Sequence, residues 1–401
     1  MQCLVTRMVA SLRFPTIFVL LAWGAVLPAA AQNLSGTVKS GTVPIPGTTV
    51  TLYMAGYDRG IPPSVLSSAV SDASGHFVIK VPPLRANDVL YVTARGLMRS
   101  VDLAAMLGTY RNVSWFVSDF VVNELSTVAT VWAMAQFMSG DDIGGKSPGL
   151  QNAAATVGNM VDVKTGTIAT VLATPPNGSQ TTTLAEFNSL ANLISACVDT
   201  PVNCSQLFSL STPPGGATPA NTLQAALTIA HNPWNNVAQL FTLSRSNSNY
   251  APVLPSAPDA WTIVLQYYGN GMELNGPGNM AVDAEGNIYI TINYNFQTNA
   301  CGGKIVSKLT PTGTDAPGAP FKGGGVNGAG WGVTIDPTGD IWIGNFGFAG
   351  DMCATPPSAN SVSKFTPTGR ALSPANTGFT GKGFIHSPQG VVSWRREVGR
   401  N

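Results

Sequence analysis

The chain has 401 residues, of which 10% are charged, against roughly 25% in an ordinary soluble domain. Lys and Arg total 21 and Asp and Glu total 20, a formal net charge of +1, which excludes the basic footprint of nucleic-acid or anionic-membrane binding. The length suggests two or three domains of about 150 residues each.

Residues 1–31 read as a signal peptide. Arg7 and Arg13 give the positive start, Phe14 to Leu27 the apolar stretch, and Ala29-Ala30-Ala31 before Gln32 the cleavage site. The apolar run is short of the roughly 20 residues of a spanning helix. No later stretch is long enough either, so the mature chain is expected to be secreted or periplasmic with no membrane span. Its cysteines are then Cys197, Cys204, Cys301 and Cys353. An even number in an oxidising compartment implies disulfides, and four cysteines allow three pairings. Spacing favours Cys197 with Cys204, across a short turn, and Cys301 with Cys353. The latter two stand 18 and 17 residues after Asp283 and Asp336. A four-Cys zinc site would want a C-x-x-C spacing that the chain lacks.

Residues 33–97 alternate with period two. Val50 and Leu52 share one face of a strand over Thr48 to Tyr53, and Phe77, Ile79 and Val81 one face over His76 to Val81. A turn at Asp72-Ala-Ser-Gly75 and a strand over Val89 to Ala94 complete a small β-sandwich. The pattern Gly36-x-Val38, Pro44-Ile45-Pro46-Gly47 and Asp72-x-x-Gly75-x-Phe77-x-Ile79 resembles the carboxypeptidase-regulatory-like, prealbumin-type domains. That resemblance implies a spacer, folding support or adhesion unit. His76 reads as a solvated strand residue.

Residues 98–246 change to helical spacing and form an expected helical spacer. Helices are predicted over Asn123 to Met138, Thr183 to Val198, Asn221 to Ala230 and Asn232 to Ser244. In the second, Leu184, Phe187, Leu190 and Ile194 form a stripe, and Thr183 with Glu186 reads as a capping box. In the last, Asn232 reads as the cap, Pro233 as the first helical residue, and Val237, Leu240 and Phe241 as one face. His231 reads as a helix-terminal residue. These stripes are core faces and imply no cofactor. Gly140 to Ser147 satisfies the P-loop pattern, but a helix precedes it, Pro148-Gly149 follows, and Asp141 and Asp142 would repel phosphate. Gly145 to Gly149 satisfies G-x-S-x-G, yet Pro148 lacks the backbone N–H that an oxyanion hole needs there. Both fit a surface loop better. Residues 247–260, rich in Pro, Ser and Asn, read as a linker.

From residue 261 to 393 the chain repeats itself. GPGNMAVDAEGNIYI, from Gly276, returns as AGWGVTIDPTGDIWI, from Ala329, and KLTPTG, from Lys308, returns as KFTPTG, from Lys364. The period from Asp283 to Asp336 is 53 residues. Each copy predicts strand, Gly-centred turn, strand, and Asp283 and Asp336 read as turn residues. A third copy opens at Ser387 to Gly390 and runs through Val391, Val392 and Ser393. Residues 394–401 diverge into a charged tail. The repeated pattern resembles the NHL-repeat β-propellers, including secreted proteins likened to streptogramin lyases. The fold expected from both resemblances is mainly β with a helical middle, the propeller being partial: two blades plus a fragment. Closed propellers have about 4 to 8 blades, so the chain reads as a truncated or frameshifted member of a longer family. Open edges around Ile290 and Ile343 would then invite self-association.

The function expected is a non-enzymatic binding or structural protein with an unknown extracellular ligand or protein partner. Asn293 with Tyr294 and Asn345 with Phe346, read as matching positions beyond the second strand of each repeat, are the candidate ligand rim. The alternative, implied by the resemblance, is a metal-assisted lyase or lactonase of the streptogramin-lyase or gluconolactonase type, incomplete in this chain. Such chemistry needs histidines or carboxylates around a channel, and the repeats offer His386 alone. No catalytic residue, cofactor or metal ligand is assigned.

Overall fold

A computed structural model describes residues 32–96, 98, 100–111, 119–269, 274–293 and 301–393. The leader, Tyr294 and the tail 394–401 lie outside the described residues. The fold is mainly β, with several antiparallel sheets, none closed into a barrel, and seven α-helices among the described residues.

Two sheets form the N-terminal part. In the first, β1 (Gln32–Ser40) pairs along one edge with a later strand, His76–Val81, and along the other with β2 (Val43–Pro44). The second is built around β3 (Thr49–Met54), with β4 (Ser64–Val70) beside it. The strand His76–Val81 is β5, and it buries Phe77, Ile79 and Val81 as period two demands. Next comes β6 (Val89–Arg95), whose residues Val89 to Ala94 are all buried. A strand can lose its alternation only when both faces are covered, and helices supply the second cover.

Two further strands join these sheets from beyond residue 97. β7 (Asp102–Thr109) pairs with β6, completing the order β4-β3-β6-β7, and β8 (Phe120–Val122) runs parallel to β1. The outer edge of β7 is not open. Helix α1 (Glu124–Met134), capped by Asn123 with Ser126 answering it, lays a row of hydroxyls along that edge. Thr127 Oγ1 accepts from Ala104 N at 2.9 Å, Thr130 Oγ1 accepts from Met106 N at 2.8 Å, and Ser126 Oγ donates to Ala104 O at 2.8 Å. Farther along, Thr222 Oγ1 accepts from Asp102 N at 3.0 Å and donates to Asp102 O. All four hydroxyl residues are fully buried. Unpaired strand edges are the usual route to aggregation, and here side chains replace the missing strand.

A hairpin of β9 (Met138–Ser139) and β10 (Asp142–Ile143) leads to α2 (Gly149–Thr156), then a second hairpin of β11 (Val161–Asp162) and β12 (Thr167–Ile168), and α3 (Thr170–Ala173). α4 (Thr183–Asp199) buries Phe187, Leu190 and Ile194. The expected capping box at its start does not form. Thr183 Oγ1 donates to Val264 O at 2.7 Å, and Glu186 Oε1 accepts from Thr262 N at 2.6 Å. Both side chains hold a distant segment instead of their own first turn. α5 (Val202–Ser211) is clamped to α4 by the Cys197–Cys204 disulfide. α6 (Thr222–His231) forms where a helix was expected and is capped by Asn221. α7 (Val237–Ser244) starts later than expected, after Asn236 at φ 48°, and Asn232 does not cap it. Asn235 and Asn236 turn their amides to Leu210 O instead. The segment 247–260 lies along α4, where Asn188 donates to Pro252 O and Asn192 to Tyr250 O. One hydrophobic core runs from Leu34 through the helices to Trp261.

The repeats form two stacked sheets. β13 (Pro277–Val282), β14 (Ile288–Ile292), β15 (Ile305–Leu309) and β16 (Phe321–Lys322) make the first, and β17 (Val333–Ile335), β18 (Ile341–Asn345) and β19 (Ser361–Phe365) the second. Ile341, Ile343 and Phe365 on one face of the second pack with Tyr289, Val306 and Phe321 of the first. The expectation of open edges around Ile290 and Ile343 is corrected: β14 and β18 are central strands, paired on both sides. The third opening, 387–393, forms no strand but docks as the second does. Ser387 N donates to Ala359 O as Gly328 N donates to Gly303 O. Ser387 adopts a left-handed φ of 43°, as do Gly276 at 70° and Gly328, one residue before the aligned Ala329, at 62°.

Candidate functional site

The turn carboxylates are spent on the fold. Asp283 Oδ1 accepts from the amides of Glu285 and Asn287, and its Oδ2 from Asn287 Nδ2 and Tyr289 Oη. Asp336 repeats the arrangement, with Thr338 and Asp340 amides on Oδ1 and Trp342 Nε1 on Oδ2 at 2.8 Å. Burial pushes the Asp336 carboxyl up, but the hydrogen bonds from Thr338 and Trp342 outweigh it and hold the group well below the usual carboxylate range. Lys364 pairs with Asp340 at 2.8 Å and lies 4.6 Å from the centre of the Trp342 ring.

The proposed rim residues divide. Pairing aligns Ile288 with Ile341, so Asn345, the last residue of β18, corresponds to Ile292, and Asn293 lies one step further on. Asn345 is buried, donating to Ser361 and Ser363 Oγ, both at 2.9 Å, and accepting from Asn327 N. Asn293 is also buried, and its Oδ1 has no hydrogen-bond partner among the described residues. Phe346 joins Trp331 and Phe348 in an aromatic cluster at the loop end of the second repeat, with ring centres 4.8 to 5.8 Å apart. Trp331 stays 47% exposed. Cys301–Cys353 bridges the loops of the two repeats, as the spacing favoured. His386 meets Asn360 Oδ1 at 3.3 Å, and His231 meets Ala135 O.

The loop with the P-loop pattern is a β-hairpin tied by charge pairs. Asp141 meets Arg95 and Asn221, and Lys146 meets Asp58 at 3.4 Å. A helix does follow it, α2, which the sequence reading did not anticipate.

Two other features have no signature in the sequence. A buried polar knot joins β1, α1, α4 and the segment after α7. Ser40 Oγ contacts both Glu124 Oε1 and Asp199 Oδ1, and Tyr250 Oη donates to Glu124 Oε2. Glu124, fully buried, is pushed up by burial against the hydrogen bonds of Ser40 and Tyr250.

The second is a pocket of about 610 Å³ between the N-terminal sheets and α2, α3 and β11, within the roughly 300–1,000 Å³ usual for small-molecule sites. Leu34, Met106, Phe120, Val157 and Val161 form buried apolar walls. Asp119, Asp162 and Lys164 line its exposed side, and Thr312 of the first repeat closes one flank. Asn159 fixes that flank by donating to Pro311 O at 2.8 Å and Tyr267 Oη at 2.9 Å. The described residues contain no group of three or more His, Cys, Asp or Glu placed to hold a metal.

No family model matches the chain, and no curated protein matches it. Among solved structures, a 9R-lipoxygenase from Cyanothece is 13% identical, with a TM-score of 0.17. The alignment covers 78% of this chain and 39% of that one, so this chain spans well under half of the other's length, and a score so low supports no argument about fold or activity.

Proposed function

We propose that the chain is an exported, non-enzymatic binding or structural protein: a prealbumin-like β-sandwich and helical layer carrying NHL-like repeats stacked as propeller blades. The two disulfides fit an oxidising compartment. Stacking as blades is supported by the hydrogen bond that joins each repeat opening to its predecessor, Gly328 to Gly303 and Ser387 to Ala359.

One observation carries the binding reading. The turn carboxylates and the Asn345 amide are consumed internally, while Trp331, Phe346 and Phe348 present an aromatic surface at the loop end. Aromatic clusters with an exposed ring are contact surfaces more often than reaction centres. The test is turnover of lactone and cyclic-depsipeptide substrates by the purified chain, with and without chelator. The expected result is no turnover in either condition. Chelator-sensitive turnover would establish the lyase or lactonase alternative and overturn this reading.

A further inference from the structure

We propose that the 610 Å³ pocket beside β7, β8 and α2 binds a single-chain amphiphile with a cationic head, of the alkylammonium class. The shape of the site separates the two halves of such a molecule. Its walls, Leu34, Met106, Phe120, Val157 and Val161, are buried and carry no polar side-chain atom. An alkyl chain placed there leaves water without stranding a polar group. Among the described residues, the exposed side brings two carboxylates, Asp119 and Asp162, together with one ammonium, Lys164. That balance favours a positive head over a negative one.

Both carboxylates are held in place. Asp119, at φ 42°, accepts from Ser35 Oγ at 2.6 Å, and Asp162 Oδ1 accepts from Lys164 N at 2.9 Å. Each keeps lone pairs for a further donor, since a carboxylate accepts through about four sites. The site lies apart from the aromatic cluster of the second repeat, so its fate and that of the binding surface there are independent.

The experiment is calorimetric titration of the full chain with octyl-, decyl- and dodecylammonium, each below its micelle concentration, and with the carboxylates of matching length. Binding is expected to be saturable at one site. Affinity should rise by up to about fourfold per added methylene, the increment for burying one CH₂, and the amines should bind at least about tenfold tighter than the carboxylates. Ala155→Trp, at an exposed position of the lining on α2, should abolish binding with the circular dichroism spectrum unchanged. Asp119→Asn should narrow the amine preference and leave the chain-length slope intact, a readout that does not depend on blocking the pocket. No saturable binding, equal affinity for amines and carboxylates, or full binding by a folded Ala155→Trp variant would each overturn the proposal.

Discussion

Replacing Glu186 with Gln should stabilise the protein by an amount that grows as pH rises from 4.5 to about 7. Glu186 sits in the first turn of α4 at 7% exposure, and its one hydrogen-bond partner among the described residues is the Thr262 amide, 2.6 Å away. Burial pushes its carboxyl from 4.5 up to about 7, against the smaller downward pull of that amide. The folded pKa is therefore above the unfolded one. Between pH 4.5 and 7 the unfolded chain has lost the proton while the folded chain retains it, so stability falls as pH rises through this window. Each pKa unit corresponds to about 1.4 kcal/mol, and the whole shift to a cost of about 3 kcal/mol above pH 7. Glutamine keeps an oxygen for Thr262 N and offers an N–H where the protonated carboxyl offered an O–H. The expected result in urea denaturation is no difference between Glu186→Gln and the parent at pH 4, and a gain of up to about 3 kcal/mol at pH 8. A difference independent of pH, or a loss of stability at pH 8, would refute the reasoning.

Two further changes test the architecture. Ser387→Gly should raise thermal stability by about 0.5–1 kcal/mol, because it removes a side chain from a left-handed backbone position of the kind that Gly276 and Gly328 hold at the other two openings, Gly328 one residue before the aligned Ala329. An unchanged or lower melting temperature would argue against the equivalence of the three openings. Thr130→Val keeps the shape of the side chain but strands the buried Met106 amide. It should cost about 1–3 kcal/mol and raise the hydrogen-exchange rate of that amide above those of its neighbours; unchanged exchange would show that the hydroxyl is not what covers the strand edge.

What could be read in the sequence was local. The alternation of Val50 and Leu52, or of Phe77, Ile79 and Val81, survives because one face of each strand stays outside the core. The turns at Asp283 and Asp336 are legible because the hydrogen-bond partners that close each turn lie within six residues; the Lys364 ammonium reaches Asp336 from farther along the chain. β7 escaped notice because both of its faces are covered, which erases period two and leaves a run that reads equally well as helix. Thr183 and Glu186 have the spacing of a cap, yet a segment nearly eighty residues away competes for both side chains and wins them. Asn293 and Asn345 looked equivalent by counting from the apolar runs; strand pairing shifts them by one. The pocket was invisible for a different reason. Its walls are ordinary aliphatic residues from separate segments, and only the folded chain brings them to one place.

The hydroxyl row on α1 has a consequence for how such a chain could be assembled in evolution. A gene segment ending near residue 97 would encode β3, β4 and β6 without β7, the strand that Thr127, Thr130 and Thr222 cover. Shuffled alone, it would carry a bare sheet edge and half of a core that runs on to Trp261. Sheet and helices are therefore expected to be inherited together, as one exchangeable unit. The repeats meet that unit through amides such as Asn152 and Asn159, and they are the part expected to be lengthened, shortened or replaced by recombination.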